Sequence, residues 1–309
     1  MKNKKIIIGS RGSKLALIYA KKAKNSILES NPELSKELFD IKIIKTEGDI
    51  NQTQRLSEIG GKGLFSNKIE KELLNKNIDI AVHALKDLPS DETNGLITDV
   101  YLERNDPREV LISKNKTKFY KLKSNSIIGT SSFRREAQIK KLRKDLITKL
   151  IRGNIDTRIK KLYKNEYHAI ILALAGVKML DQEKNISQIF STKEILPSVG
   201  QGIVVIQSRK DDKRINNIIK KANHEETYLS ATAEREMLKV LGGDCETAVA
   251  GLAIVKNSKL FLDCELFSLD GKKKFTYNIS GNKNEAKKIG KRAGINLISQ
   301  AGDSYKVNK

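Results

Sequence analysis

Two stretches of the sequence share one pattern, and this repetition is the strongest constraint on the fold. The segments IIIGSRGSKLAL (6–17) and SIIGTSSFRREAQ (126–138) each read as an apolar strand, a turn of glycine with serine or threonine, an arginine and a helix start. The start of a helix presents unpaired backbone N–H groups and the positive end of the helix dipole, which bind anions. The sequence therefore predicts two similar α/β domains that face one shared anionic ligand.

Apolar strands and amphipathic helices alternate through the first two thirds of the chain, which is the βαβ pattern of parallel sheets covered on both faces. Strands are predicted at 5–9, 39–45, 79–85, 96–102, 127–130, 147–152, 168–175 and 203–207. Helices are predicted at 13–30, 64–75, 134–144, 156–164 and 211–223.

Beyond residue 223 the pattern changes to an α+β order. A helix is predicted first, then three strands, then a second helix, at 225–241, 247–255, 259–268, 273–280 and 284–300. We therefore predict the α/β class, with two similar doubly wound domains of the periplasmic-binding-protein kind and a small α+β C-terminal domain. The first domain is expected at 1–104 with 200–222, the second at 105–199 and the third at 223–309.

Composition narrows the class of protein and the kind of partner. With 39% hydrophobic and 31% charged residues, the chain of 309 residues is typical of a soluble globular protein. Three consecutive isoleucines near the N-terminus are too few for a signal peptide or a membrane span, and two cysteines without such a signal predict the cytoplasm. The net charge of +22 predicts a polyanionic partner, either nucleic acid or a multiply charged small molecule.

Basic residues recur in the glycine-, serine- and threonine-rich turns that follow predicted strands. Arginine binds carboxylate or phosphate through paired hydrogen bonds, and hydroxyl groups add donors. The spacings match no known phosphate loop, no stacking platform for nucleic acid and no metal-ligand pattern. We therefore expect an anion site without metal, formed by Arg11, Ser13, Lys62, Arg134, Arg135, Arg152 and Arg158.

The segment DIAVHALKDLPS (79–90) reads as a buried strand whose carboxyl end delivers Lys86 and Asp87. Open α/β sheets bind ligands just beyond the carboxyl ends of their strands. An aspartate there can transfer protons and a lysine can bind anions, although a solvated turn with a weak surface ion pair is an equal alternative. His83 on this strand is expected to be a satisfied core residue rather than a base.

The two cysteines occupy different surroundings. Cys264 alternates with leucines in KLFLDCELFS (259–268), which predicts a packed thiol on the apolar face of a strand. Cys245 lies in the glycine-rich loop LGGDCETAVAG (241–251), just after a helix. Thiols in loops can act as nucleophiles or attachment points, but from this loop alone a structural role is the more common one.

Taken together, these segments resemble the porphobilinogen deaminase family. The matching motifs run in family order from about residue 6 to residue 251, and the last part of the chain matches only in predicted architecture. The most specific are the Lys-Asp-Leu-Pro strand end and the Arg-Gly-Asn-x-x-Thr-Arg turn. The motifs are GSRGSKLAL, GGKGLFSNKIEKELL, DIAVHALKDLPS, GTSSFRREAQ, RGNIDTRIKKL, AIILALAGVK, LPSVGQG and LGGDC.

The resemblance implies a transferase of tetrapyrrole (haem) biosynthesis that joins four porphobilinogen units head to tail, with loss of ammonia, into hydroxymethylbilane. It implies a dipyrromethane cofactor held by a thioether to Cys245 and a catalytic carboxylate, Asp87, which stabilises a pyrrole cation and moves protons. The positions matching cofactor-binding residues are Lys86, Asp87, Ser132, Arg134 and Arg135, and Ser131 is a further matching position in the same loop. Those matching substrate-binding residues are Arg11, Ser13, Lys62, Phe65, Arg152 and Arg158.

Two positions depart from the family pattern. Ala84 stands where the family often has a cofactor-binding serine, and Met179 stands where it commonly has a substrate-binding arginine. We expect the activity to be retained, with chain-elongation rates that differ from those typical of the family.

The resemblance also implies a cytoplasmic monomer that binds porphobilinogen, without nucleic-acid or membrane partners. The alternative is a two-lobed binding protein for a small polycarboxylate, which gives no reason for Cys245.

Overall fold

The computed structural model describes residues 4–50, 63–243 and 247–306. Its strands are β1 Ile6–Ser10, β2 Phe39–Ile43, β3 Ile80–Ala84, β4 Leu96–Tyr101, β5 Glu109–Ser113, β6 Ile127–Gly129, β7 Ile147–Lys149, β8 Ala169–Ala173, β9 Gln188–Ile189, β10 Val204–Arg209, β11 Val249–Lys256, β12 Lys259–Phe267 and β13 Lys274–Asn282. Its α-helices are α1 Lys14–Glu29, α2 Glu47–Ile50, α3 Asn67–Leu74, α4 Phe133–Leu142, α5 Ile155–Tyr163, α6 Leu174–Met179, α7 Lys213–Ile219, α8 Glu225–Val240 and α9 Ala286–Ala301. Within the described ranges, no helix has the length and apolar character needed to cross a membrane.

Two five-stranded sheets have the same layout, with the orders β2-β1-β3-β10-β4 and β7-β6-β8-β5-β9. We call the parts built on them the first and second lobes. In each sheet three strands are parallel, as the βαβ pattern predicts. The fourth strand, β10 or β5, is antiparallel to its neighbours, so the sheets are mixed rather than wholly parallel.

The antiparallel strands lie where the chain passes between the lobes. Strand β5 is the first strand after the chain leaves the first sheet, and β10 is the strand that brings it back. The sequence pattern predicts β10 but not β5, β9 or α6. Strand β5 has only five residues, begins with a glutamate and is flanked by Arg108 and Lys114, so its apolar run is too short to stand out.

Apolar side chains cover both faces of the first sheet. On one face Ile8 of β1 and Val204 of β10 pack in one cluster with Ile27 of α1, and on the other face Ile78, just before β3, packs in a cluster with Ile69 of α3. These five side chains are at most 1% exposed, and full burial of each contributes about 1.5–3 kcal/mol. This packing on both faces makes the sheet a rigid support for the turns at its edge.

The C-terminal domain consists of the antiparallel sheet β11-β12-β13 with helices α8 and α9. Cys264 is 1% exposed in its core, as the leucine alternation predicts, and burial raises the pKa of its thiol. Helices α8 and α9 pack closely, because a Cβ on Gly294 would lie 2.6 Å from the Cβ of Val240. The chain thus has the predicted α/β class, with two similar lobes and a small α+β domain, while the exact domain boundaries stay a prediction.

Candidate active site

A cleft of about 470 Å³ lies between the two lobes. Its walls come from the start of α1, the turn after β3, the start of α4, the turn before α5 and helix α6. The predicted site residues that line it are Arg11, Ser13, Phe65, Lys86, Asp87, Ser131, Arg135, Arg152 and Arg158. The structure therefore brings together most of the predicted site from segments that are far apart in the sequence.

Asp87 lies in the short 3₁₀ turn Leu85–Asp87, directly after β3. The backbone N–H of Leu85 donates to the carbonyl oxygen of Ile203 at 3.0 Å, which ties this turn to the segment before β10. The Asp87 carboxylate lies 3.8 Å from Arg11 Nη1, and its side chain is 33% exposed. It is held on a rigid support and remains open to the cleft, as a group that exchanges protons with a ligand must be.

Two further groups respond to the charge of Asp87. The Lys86 side chain opens to the cleft, yet the protein around it lowers the pKa of its ammonium group, and the charge of Asp87 opposes that shift. Tyr19 on α1 lines the same cleft, and its phenol has a raised pKa because of burial and of the Asp87 charge. The charge of Asp87 thus acts on the pKa values of two neighbouring groups in this part of the cleft.

The start of α1 provides the wall on the first-lobe side. The Ser13 hydroxyl accepts a hydrogen bond from the N–H of Ala16 at 3.3 Å and so caps this helix. The Arg11 guanidinium carbon lies 3.9 Å from the centroid of the Phe65 ring, within the range of a cation–π contact. Arg11 is therefore held between an aromatic face and Asp87.

The start of α4 provides the matching wall in the second lobe. Ser132 caps this helix by accepting from the N–H of Arg135 at 3.4 Å, and Arg135 lines the cleft. Arg134 does not line it, because its guanidinium is 4% exposed and bonds inside the lobe to Glu109 and the Leu196 carbonyl oxygen. The cofactor-binding roles of Ser132 and Arg134 stay predictions.

The RGNIDTR turn places two more arginines at the cleft. Arg158 donates from Nε to the Gly153 carbonyl oxygen at 2.8 Å. Its pKa is lowered to about 10 by burial and by the charges of Arg135 and Arg152. Burial lowers the pKa of Arg152 as well, and the charge of Arg11 adds to this. Arginines that destabilise one another in this way favour an anionic ligand between them.

Charge in the cleft is strongly unbalanced. Among the described residues, six cationic side chains line it against two carboxylates, Asp87 and Asp156. The cations are Arg11, Lys14, Lys86, Arg135, Arg152 and Arg158. A group with several carboxylates suits this donor set, since guanidinium forks bind carboxylates bidentately.

The structure corrects the interpretation of His83 as a fully satisfied residue. The ring is 7% exposed and lines the cleft floor, but its Nε2 has no hydrogen-bond partner among the described residues. Burial lowers the pKa of His83 to about 4, with Gln207 opposing the shift and Arg11 adding to it. His83 is therefore a neutral imidazole at the cleft.

The two departures from the family pattern have different surroundings. Ala84 lines the cleft, so the hydroxyl that it lacks would have faced a ligand. Met179 is not among the lining residues, and its side chain packs against the apolar core of the first lobe. Lys62 and Cys245 lie outside the described residues, so their predicted roles stay predictions.

Comparison with known proteins covers nearly the whole chain. A family model described as porphobilinogen deaminase, dipyromethane cofactor binding domain, matches residues 6–217, and one described as porphobilinogen deaminase, C-terminal domain, matches residues 228–299. The porphobilinogen deaminase of Syntrophomonas wolfei is 42% identical over 295 residues, which is 96% of this chain and 95% of that relative. The porphobilinogen deaminase of Coxiella burnetii (strain CbuG_Q212) is 40% identical over 304 residues, 98% of this chain and 97% of that relative.

Comparison with solved structures finds proteins with little sequence identity to this chain. The probable amino-acid ABC transporter extracellular-binding protein ytmK from Bacillus subtilis is 14% identical, with a TM-score of 0.44 over 72% of this chain and 90% of its own.

Proposed function

The chain belongs to the porphobilinogen deaminase family, and we propose that Asp87, Cys245 and the cationic cleft carry out its reaction. The enzyme is a transferase of tetrapyrrole biosynthesis that acts on porphobilinogen and uses a dipyrromethane cofactor. In this reaction four porphobilinogen units are joined head to tail into hydroxymethylbilane, and each addition releases ammonia. The alternative of a two-lobed binding protein is not favoured, since the relatives are named as an enzyme.

The observation that carries this proposal is the placement of one open carboxylate among cations from both lobes. When bound, the dipyrromethane supplies the pyrrole carbon to which substrate units are joined. Asp87 has the position and exposure to offset a cation on the substrate pyrrole after ammonia leaves, and to accept the proton released when the carbon–carbon bond forms.

The cationic walls have the complementary role of binding and orienting. Each pyrrole unit carries two carboxylates, so negative charge accumulates in the cleft with every addition. Arg11 from the first lobe and Arg135, Arg152 and Arg158 from the second can bind these carboxylates from opposite sides. Phe65 lies against Arg11 and limits its rotation. Fixed cations hold the substrate ring over Asp87 while ammonia leaves.

Cys245 is the proposed attachment point of the cofactor. Its place in the LGGDC motif supports this role, and so does the burial of the other cysteine, since Cys264 is 1% exposed and its thiol pKa is raised. A buried, protonated thiol is a poor nucleophile. Cys264 is therefore unsuited to forming the thioether.

The test is the intact mass of the purified protein together with product formation from porphobilinogen. We expect an added mass of two pyrrole units in the wild type and in Cys264→Ala, and its loss in Cys245→Ala. An active wild-type protein without this mass would refute the attachment. A loaded protein that releases neither ammonia nor hydroxymethylbilane from porphobilinogen would refute the proposed reaction.

The compartment and assembly state are part of the same proposal. We infer a cytoplasmic monomer that binds neither nucleic acid nor membrane, on the grounds of the small-molecule cleft and the few cysteines. Light scattering of the loaded protein should give the mass of one chain, 34.7 kDa plus the cofactor. A dimer at micromolar concentration would refute the monomer.

A further inference from the structure

A buried carboxylate lies behind the cleft wall of the second lobe. Glu109, the first residue of β5, is 0% exposed. Burial alone would raise the pKa of Glu109, but the charges and hydrogen bonds of Arg135 and Arg134 outweigh it and lower the pKa to about 2. Glu109 is thus a fully ionised acid inside the lobe, and such a group is stable only when it is paired on all sides.

The pairing fixes Arg135 with defined geometry. Arg135 donates from Nε to Glu109 Oε1 at 3.1 Å and from Nη2 to Glu109 Oε2 at 2.8 Å, which is a bidentate pair. Its Nη1 donates to the Ile171 carbonyl oxygen at 3.1 Å. Among the described residues these bonds use three of the five N–H donors of a guanidinium, so two are left for a ligand in the cleft.

Arg134 completes the charge balance without lining the cleft. It donates from Nη2 to Glu109 Oε1 at 2.5 Å and from Nη1 to the Leu196 carbonyl oxygen at 2.7 Å and to Gln138 at 3.0 Å. Two guanidiniums so close together repel each other, and the Glu109 carboxylate offsets one of the two charges. The cluster as a whole therefore carries one net positive charge, and Arg135 is the member of it that lines the cleft.

We propose that Glu109 is a positioning residue, which holds Arg135 in the orientation that binds the carboxylates of the pyrrole units, with Arg134 as its internal counter-ion. This inference rests on the proposed function, because it takes porphobilinogen as the ligand. It adds to the site a residue that never touches the ligand and is contributed by β5, the strand at the crossing between the lobes. The bidentate geometry supports the positioning role, since a carboxylate that only balanced charge would not need two hydrogen bonds to the Arg135 guanidinium.

The test is a double-mutant cycle of wild type, Glu109→Gln, Arg135→Gln and the combined variant. For each protein we measure the KM for porphobilinogen, the cofactor-loaded fraction by intact mass and the thermal midpoint. A hydrogen bond to a charged group corresponds to a factor of about 10 to 100 in binding, so Glu109→Gln should raise KM by that factor. In the Arg135→Gln background the same change should raise KM by less than about threefold, because residues that act through one another are not additive.

Two outcomes would overturn the proposal. One is a KM for Glu109→Gln within about threefold of wild type, and the other is a combined variant whose KM increase is the product of the single increases. If Glu109 has only a structural role, Glu109→Gln should lower the thermal midpoint, and the KM increases of the two single variants should simply multiply in the combined variant. If Glu109→Gln does not retain cofactor, the loaded fraction replaces KM in the cycle, and normal loading of Arg135→Gln would then overturn the proposal.

Glu109→Gln leaves two buried cations without their acid, so a charge-balanced variant guards against loss of folding. Glu109→Gln combined with Arg134→Met removes one charge of each sign and leaves Arg135 without its anchor. It should fold and show the raised KM, and a wild-type KM would overturn the proposal. The control is Asp79→Asn, which alters a buried carboxylate that pairs with Arg209 and accepts from the Ile7 N–H, none of which lines the cleft. If wild-type protein forms no hydroxymethylbilane, the proposed function fails instead.

Discussion

A buried ion pair joins the C-terminal domain to the crossing between the lobes, and its removal gives the sharpest stability prediction. Glu234 on α8 is 0% exposed and lies 2.5 Å from Arg104 Nη1. It also accepts from the backbone N–H of Gly200 at 2.7 Å and of Ala253 at 2.8 Å. In Glu234→Gln the charge of Arg104 loses its partner, and an amide N–H₂ group replaces one acceptor oxygen.

The cost follows from the burial of the pair. Breaking a buried ion pair by removing one partner costs about 3–5 kcal/mol. At roughly 2–4 °C per kcal/mol for a chain of a few hundred residues, the thermal midpoint should fall by about 10 °C. Turnover should fall too, because Gly200 packs against the turn of Asp87, where its added Cβ would lie 3.1 Å from the Lys86 backbone nitrogen.

Differential scanning calorimetry of the cofactor-loaded proteins is the assay for this prediction. The matched control is Glu33→Gln, which breaks an exposed glutamate–lysine pair with Lys221 at 3.2 Å. An exposed pair contributes at most about 1 kcal/mol, so this control should stay within a few degrees of wild type. Equal thermal midpoints for Glu234→Gln and Glu33→Gln would refute the stabilising role of this buried pair.

Three further predictions concern the cleft. Asp87→Asn should keep the fold and the cofactor mass while turnover falls about 10²–10⁴-fold, since the amide neither accepts a proton nor offsets a cation. A steady-state turnover rate within threefold of wild type would contradict this. Gly200→Ala should lower both the urea midpoint and turnover, because φ is +71° and the new Cβ lies 2.9 Å from Leu85 Cγ; a wild-type midpoint would contradict it. His83 has a folded pKa of about 4, below its usual 6.5, so its contribution to stability is complete above pH 6.5 and is lost as the pH falls toward 4, by up to roughly 3 kcal/mol. Urea titrations at pH 7.5 and 4.5 should therefore show a smaller pH dependence in His83→Gln than in wild type, and equal dependence would refute this assignment.

The elements that the sequence predicts are those with a strong local signal. Strands β1 and β6 have apolar runs next to a capped helix, and Ser13 and Ser132 cap α1 and α4 in the structure. Strand β5 has no such signal, because its register is decided by long-range antiparallel pairing with β8. Pairing across the sheet leaves no periodic trace in five residues. Both sheets are mixed because each contains one such antiparallel strand, β10 in the first and β5 in the second.

The site was predictable to the extent that it consists of charged residues in turns. Sequence reasoning finds Arg135 because arginine in a serine-rich turn indicates an anion site, and the structure places it in the cleft. It does not separate Arg134 from Arg135, because adjacent residues on one helix differ only in direction. Nor does it find Glu109, whose carboxylate meets both arginines only after β5 inserts beside β8. The direction in which a side chain points and the distant residues that it contacts are set by the packing of the fold.

Position 179 illustrates the same limit for a departure from the family pattern. From the sequence, methionine in place of arginine reads as the loss of one cation for a substrate carboxylate. In the structure Met179, at the end of α6 in the second lobe, packs against the apolar core of the first lobe. An unbranched thioether side chain fills such an irregular contact well. At position 179 apolar packing against the first lobe thus stands in place of the ligand contact that the family pattern implies. A change that looks like a simple loss in the sequence is therefore a change in what the residue contacts.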